Sequence, residues 1–239
     1  MLWYAGNIFM RNFLRIVFTA IALFFVFGTV SVNETNAQVN QILKQMETRY
    51  KKLKTLRANI LHEIYNPQLN ETDIMQGSAI CLPLKGRDAL LRIDWKTPFS
   101  ESLTVVDKQY VLYRPQLKQA YTGSTEKMKK APSIMRSPLA FINMSKAQLK
   151  ANFSVKYLGA EKLRNGTKTW HLELTPKTAQ NYKKTDLWID GNGMPLQMKI
   201  TERNGDTNTI LLSGLKKNVR VRRAEFKMTL PKSTKIIKN

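Results

Sequence analysis

From about Leu56 onward, apolar and polar residues alternate in short runs with the period of two that belongs to β-strands. Strands are predicted over Leu56 to Tyr65, Ile74 to Leu82, Ala89 to Trp95, Ser102 to Val106, Gln109 to Tyr113 and Leu117 to Tyr121. After an interruption they resume over Phe153 to Leu158, Thr169 to Thr175, Thr185 to Asp190, Leu196 to Arg203 and Asp206 to Ser213. The breaks between them carry turn chemistry, at Pro67, Gly86, Pro98, Pro115 and Gly123, then at Asp190-Gly191-Asn192-Gly193 and Asn204-Gly205-Asp206. Connections this short suit antiparallel hairpins. Two stretches follow a helical period instead. Val39 to Leu56 sets Val39, Ile42, Leu43, Met46, Tyr50, Leu53 and Leu56 on one stripe, and a second helical region opens at Ser137-Pro138 and runs to about Lys150. A closing segment, Ala224 to Ile237, alternates Phe226, Met228 and Leu230 before Pro231.

The pattern therefore predicts a mainly β protein of the α+β class, a single antiparallel sheet of about eleven or twelve strands with two or three helices on one side. A sheet that wide curls. Its concave face would carry the alternating apolar positions, Leu91, Ile93 and Trp95 on one strand and Leu187 and Ile189 on another. Alternation says which side is buried and not by what, so a filled core and a cavity under a helical cover both fit.

The first 37 residues read differently. Arg11 and Arg15 precede an apolar run from Ile16 to Val30, and a polar segment then ends at Thr35-Asn36-Ala37. This is the layout of a secretory signal peptide, with cleavage expected before Gln38 and a single domain over residues 38–239. The apolar run falls short of the roughly 20 residues that span a bilayer, although extension into Phe13 and Leu14 would make an uncleaved anchor. Export predicts a periplasmic protein, and no cysteine follows the apolar run to be lipidated.

Charge sharpens the picture. The chain holds 39 Lys and Arg against 17 Asp and Glu, a formal net charge of +22, and the leader contributes only Arg11, Arg15 and Glu34 to it. Nucleic acid is the usual partner of such a balance in the cytoplasm. For an exported chain the expected polyanions are lipid headgroups, so anionic membrane surfaces are candidate partners and nucleic acid is not.

Candidate chemistry is sparse. The only histidines, His62 and His171, lie in separate predicted strands, and the only cysteine, Cys81, sits between Ile80 and Leu82. His62 shares the parity of Ile60 and Ile64 and reads as a buried, hydrogen-bonded residue; His171, beside Trp170, is as easily exposed. Two separated histidines and one cysteine make no zinc constellation, no phosphate-cradling loop is present, and Glu161 and Glu173 have no acid/base spacing. The sequence thus predicts a non-enzyme without metal or cofactor.

Several segments together resemble the LolA family of periplasmic lipoprotein carriers. Gln76-Gly77-Ser78-Ala79-Ile80 and Leu91-Arg92-Ile93-Asp94-Trp95-Lys96-Thr97-Pro98 look like the family's glycine followed by its arginine-tryptophan and proline pattern. Val106-Asp107-Lys108-Gln109-Tyr110-Val111-Leu112-Tyr113-Arg114-Pro115 and Gln119-Ala120 are similar to its "D-G-x-x-x-W-x-Y-x-P" hairpin, and Ser137-Pro138-Leu139-Ala140-Phe141-Ile142 to its lid helix. The C-terminal third keeps the order, from Leu172-Glu173-Leu174-Thr175-Pro176 to Phe226-Lys227-Met228-Thr229-Leu230-Pro231.

The resemblance implies an incomplete β-barrel of about eleven strands, closed by helices over an apolar cavity that takes lipoprotein acyl chains. It implies Leu91, Ile93 and Trp95 as cavity lining, with Leu56, Ala58 and Ile60 on the first strand at matching parity. Leu139, Phe141 and Ile142 would belong to the lid. Its implied partners are lipoproteins, an inner-membrane ABC-type release complex and an outer-membrane acceptor, with the carrier acting as a monomer. The family's lid-holding arginine directly precedes a proline, whereas Arg87 here stands in Lys85-Gly86-Arg87-Asp88-Ala89. Two other roles of the same fold are a lipid or glycolipid carrier and a stress sensor that inhibits an anti-sigma factor, the latter calling for an additional C-terminal domain. A peripheral basic scaffold on anionic membrane, enclosing no ligand, is the remaining alternative.

Overall fold

The computed structural model describes residues 31–84, 89–125 and 144–238. By its internal contacts the chain divides into two units, residues 1–38 and 39–239. The first described element is helix α1 (Ser31–Lys52), which starts earlier than the apolar stripe suggests and stops before Leu56. Arg49, Lys51 and Lys52 fill its last turn, where the negative end of the helix dipole favours cations. Leu53 closes that end, its amide donating to the Tyr50 carbonyl.

Six strands follow as a meander: β1 (Leu56–Asn66), β2 (Glu71–Pro83), β3 (Ala89–Thr97), β4 (Glu101–Val106), β5 (Gln109–Arg114) and β6 (Gln119–Ser124). Helix α2 (Lys146–Asn152) carries a capping box, with Ser145 and Gln148 satisfying each other's free amides. The part of the second helical region that begins at Ser137 lies outside the described residues. A second meander then runs through β7 (Phe153–Lys162), β8 (Lys168–Pro176), β9 (Tyr182–Asp190), β10 (Pro195–Glu202) and β11 (Thr207–Lys217).

The two meanders join through β1, which pairs antiparallel with β2 on one side and with β11 on the other. With a last strand, β12 (Lys235–Lys238), the result is one twelve-stranded sheet in the order β12-β6-β5-β4-β3-β2-β1-β11-β10-β9-β8-β7, an open, mainly antiparallel sheet of incomplete-barrel type with two described helices. The twelfth strand departs from the alternation of the closing segment. Residues 223–226 form a short 3-10 turn, and only β12 (Lys235–Lys238) joins the sheet, parallel to β6. Phe226 is buried rather than part of a strand, because the segment crosses the back of the sheet before reaching its edge.

Register lays the apolar side chains in rows across the concave face. One row runs Ala58, Ala79, Ile93, Leu103, Leu112 and Tyr121 from β1 to β6. In the other direction His62, Ile210, Met198, Leu187, Leu172 and Tyr157 lie side by side from β1 to β7. Val39, Ile42, Leu43, Met46 and Tyr50 of α1 are buried in the same apolar cluster. Gly193, at φ +79°, lets the β9–β10 turn approach this helix: an added Cβ there would lie 2.5 Å from the Gln45 carbonyl carbon. Arg49 Nε donates to the neighbouring Asn192 carbonyl at 3.0 Å.

Candidate functional site

The structure brings all eight expected lining residues to the concave face. Leu56, Ala58, Ile60, Ile93, Trp95, Leu187 and Ile189 are buried in one cluster, and Leu91 packs against it half-buried. They reach it from three parts of the sequence because β1 stands between β2 and β11 in the sheet. Leu139, Phe141 and Ile142, expected as the lid, lie outside the described residues, as does Arg87.

Three buried polar side chains, His62, Asn208 and Thr185, interrupt this apolar face. His62 has no exposure, its Nε2 is 3.3 Å from Asn208 Oδ1, and its ring lies 6.1 Å from that of Trp95. Burial pushes the imidazole below its ordinary pKa, and the Asn208 contact opposes this weakly. Its other nitrogen, Nδ1, is buried with no hydrogen-bond partner, and so is Thr185 Oγ1 on the same face of β9. Polar atoms left this way cost about 1–3 kcal/mol each. Cys81 pairs with Leu56 across β1 and β2, and burial pushes its thiol up to about 12, so it carries no thiolate at neutral pH.

The back of the sheet holds two features that alternation conceals. On β9 both faces are buried, since Thr185, Asp186, Leu187, Trp188 and Ile189 are covered in succession. His171, for which the sequence left exposure and burial equally open, is half-buried and stacks on Trp188 at 4.3 Å. Its Nε2 lies 3.0 Å from Asp186 Oδ1 and its Nδ1 3.0 Å from Glu161 Oε2, while Trp188 Nε1 donates to the same Glu161 oxygen at 2.7 Å. Burial would raise the Asp186 carboxyl, but the His171 bond and the nearby Lys184 hold it below its ordinary value. The cluster ties β7, β8 and β9 together.

The second feature is the C-terminal strap. Phe226 covers Leu90 and Thr104, both buried on the back of β3 and β4, and an open pocket of about 500 Å³ adjoins them, edged by Val106, Val111, Arg223 and Met228. Glu225 binds Arg57 of β1, and Arg92 of β3 donates to the Glu225 carbonyl while also holding Asp94. The signal for this in sequence is Leu90, an apolar residue out of phase with Leu91 and Ile93.

An open, mainly antiparallel twelve-stranded sheet wrapped about an apolar concave face, with a helix laid against it, is a binding fold. Residues 84–229, more than half of the chain, match the family model described as outer membrane lipoprotein carrier protein LolA, and the chain belongs to that family. No curated protein sequence matches the chain significantly. A solved structure of an uncharacterized conserved protein from Thermus thermophilus is similar at TM-score 0.54 and 14% identity, over 84% of this chain and 99% of that one. The MucA/MucB complex of Pseudomonas aeruginosa is similar at TM-score 0.50 and 12% identity, over 80% of this chain and 61% of that one. A structure of MucB gives TM-score 0.54 at 12% identity, over 81% and 63%. This chain thus spans less than two thirds of those MucB chains, and at such identities the likeness is one of fold.

Proposed function

We propose that the protein is a periplasmic chaperone that carries lipoproteins from the inner to the outer membrane, holding their acyl chains against the concave face. It acts by binding and release, without catalysis, metal or cofactor. The observation that carries this reading is the single apolar cluster that β1, β3 and β9 build together against helix α1, in a chain that belongs to the LolA family. Burying one methylene is worth about 0.8 kcal/mol, so a 16-carbon chain gains roughly 10 kcal/mol on that surface. The buried, unpartnered His62 Nδ1 and Thr185 Oγ1 fit a ligand that brings polar atoms, such as an ester or amide, in among its methylenes. An inner-membrane ABC-type release complex would load the carrier and an outer-membrane acceptor would unload it. Displacing whatever covers the face between cargoes lowers the apparent affinity and keeps delivery reversible.

Native mass spectrometry of the protein recovered from its own periplasm tests the reading. A bound triacylated lipoprotein is the expected result. A phospholipid or glycolipid would reassign the same surface to free-lipid transport, and a reproducibly empty protein would overturn the carrier reading.

A further inference from the structure

Among the described residues six large hydrophobic side chains are exposed: Leu69, Ile74, Phe99, Leu117, Leu158 and Ile236. Singly exposed apolar residues are ordinary. Their distribution here is not, because strand direction puts five of the six at one end of the sheet. The turns between β1 and β2, β3 and β4, and β5 and β6 all fall at the end where β1, β3 and β5 finish. Leu69, Phe99 and Leu117 stand in those three turns, 65%, 59% and 57% exposed. Ile74 lies near the start of β2, and Ile236 pairs with Ala120 near the start of β6. The β3–β4 and β5–β6 turns sit two strands apart, roughly 10 Å, while the β1–β2 hairpin carrying Leu69 extends five residue pairs beyond Gln76, which pairs with Thr97 at the end of β3. Phe99 and Leu117 border one shallow pocket of about 260 Å³.

Charge gathers at the same place. Lys96 ends near Phe99, Lys118 follows Leu117, and Lys232 and Lys235 flank the turn into β12, whose first amide donates to the Lys118 carbonyl. All four lysines are exposed, and none enters an ion pair with a described residue. The acidic neighbour Glu101 is neutralised by Arg114 at 2.8 Å, and the exposed Glu71 and Asp73 lie on the β1–β2 hairpin, away from the lysines of β6 and β12.

We propose that this rim is a membrane-docking surface, on which Phe99 and Leu117, joined by Leu69, enter the headgroup region of an anionic bilayer while Lys96, Lys118, Lys232 and Lys235 bind its phosphates. Apolar tips beside lysines are the pairing that interfacial binding requires, since the tips supply buried area and the cations supply attraction to anionic lipid. A purely electrostatic patch, such as one that holds an acidic protein, has no use for three exposed apolar tips. The inference goes beyond the carrier reading, because it concerns how the protein meets a bilayer and holds whether or not the concave face contains acyl chains.

The test is co-sedimentation of the full chain with vesicles of phosphatidylethanolamine and phosphatidylglycerol, against vesicles of phosphatidylcholine alone, at low and high salt. The protein is expected to bind the anionic vesicles and to keep part of that binding at high salt, where exposed charges are screened. Phe99→Ser with Leu117→Ser should lower the salt-resistant part about tenfold or more. Lys96→Glu with Lys232→Glu should lower low-salt binding by at least about tenfold. Lys54→Glu with Lys216→Glu makes the same change of charge at the opposite end, where β1 begins and β11 finishes, and should alter binding less than about twofold. All six positions are exposed, so folding is not at issue. Unchanged binding of the serine pair, equal loss in the opposite-end pair, or no vesicle binding by the parent protein would each overturn the proposal. Uptake of a fluorescent acyl probe by the same variants reads the concave face separately. Its loss in the parent protein, with docking intact, would count against the carrier reading alone.

Discussion

Replacing Gly77 by alanine should be among the most damaging small changes to this protein. Gly77 lies in β2 opposite Ile60 of β1 and Trp95 of β3, where the β2–β3 register shifts by one residue. A Cβ built on it would stand 2.2 Å from the Asp94 carbonyl oxygen and 2.9 Å from Trp95 Cα, both backbone atoms of the adjoining strand. An ordinary carbon–oxygen contact begins near about 3.3 Å, so the strands must part by roughly 1 Å at this point. Parting them weakens one or two ladder hydrogen bonds, at about 1 kcal/mol each. It also displaces Trp95, which is 2% exposed in a close-packed cluster, at a cost of about 1–3 kcal/mol. The reduced freedom of the unfolded chain returns about 0.4–1 kcal/mol, which leaves a net loss of about 1–4.5 kcal/mol, centred near 3. For a domain of this size the melting midpoint should fall roughly 5–10 °C. Urea unfolding followed by tryptophan fluorescence measures the difference, with Gly191→Ala as the control, since nothing lies within 4 Å of a Cβ at Gly191. Stability of the Gly77→Ala protein within about 0.5 kcal/mol of the parent would refute the reasoning.

Two further outcomes follow from buried and bridging charges. His62 is held neutral by burial, its folded pKa lying below the ordinary 6.5, so the unfolded chain takes up the proton first as pH falls. Stability should be undiminished above pH 6.5 and decline from there down through the lowered folded value, by at most about 1.4 kcal/mol per pH unit. Unfolding curves at a series of pH values should show that slope reduced in His62→Leu, and parallel curves for the two proteins would contradict it. Glu225 is held below the usual carboxylate range by the Arg222 backbone amide first and by Arg57 next, so the strap's anchorage is present above pH 4.5 and is lost as pH falls through the lowered value. In Glu225→Gln, hydrogen exchange should quicken in β12 while that in β8 and β9 stays as it was; equal protection of β12 in both proteins would show that Phe226 alone holds the strap.

The predicted strands match those observed closely, with ends displaced by a few residues, because alternation is a local property: one buried face and one wet face leave a period of two in any stretch of chain. The same rule put Leu56, Ala58 and Ile60 on one face of their strand, Leu91, Ile93 and Trp95 on one face of theirs, and Leu187 with Ile189 on another. The turns at Asp190-Gly191-Asn192-Gly193 and Asn204-Gly205-Asp206 were equally legible, since an Asn-Gly or Gly-x-Gly break between strands has a local conformational cause, whereas Gly123, expected in a turn, lies within β6 opposite Tyr110 because the strand pairs on past it, and Gly86 lies outside the described residues.

Where local pattern misled, a distant segment had altered the burial. The back of β3 and β4 reads as solvent-facing until Phe226, more than a hundred residues later, covers Leu90 and Thr104. Trp188 and Asp186 are buried on the outer side of β9 only because His171 of β8 and Glu161 of β7 close over them, together with Lys184 of β9 itself. The closing segment, read as an alternating run, became a strap and a short parallel strand once its partners were Arg57, Arg92 and the edge of β6.

The sequence by itself determined the strands, their inward faces and the apolar character of the surface they would form. The tertiary structure alone decided that β1 pairs with β11, which sets Ile60 and Leu187 on one concave surface, and that the turns bearing Leu69, Phe99 and Leu117 emerge at one end. Side-chain alternation is written residue by residue, whereas pairing between strands roughly 150 residues apart depends on closing a long loop against the whole of the remaining sheet.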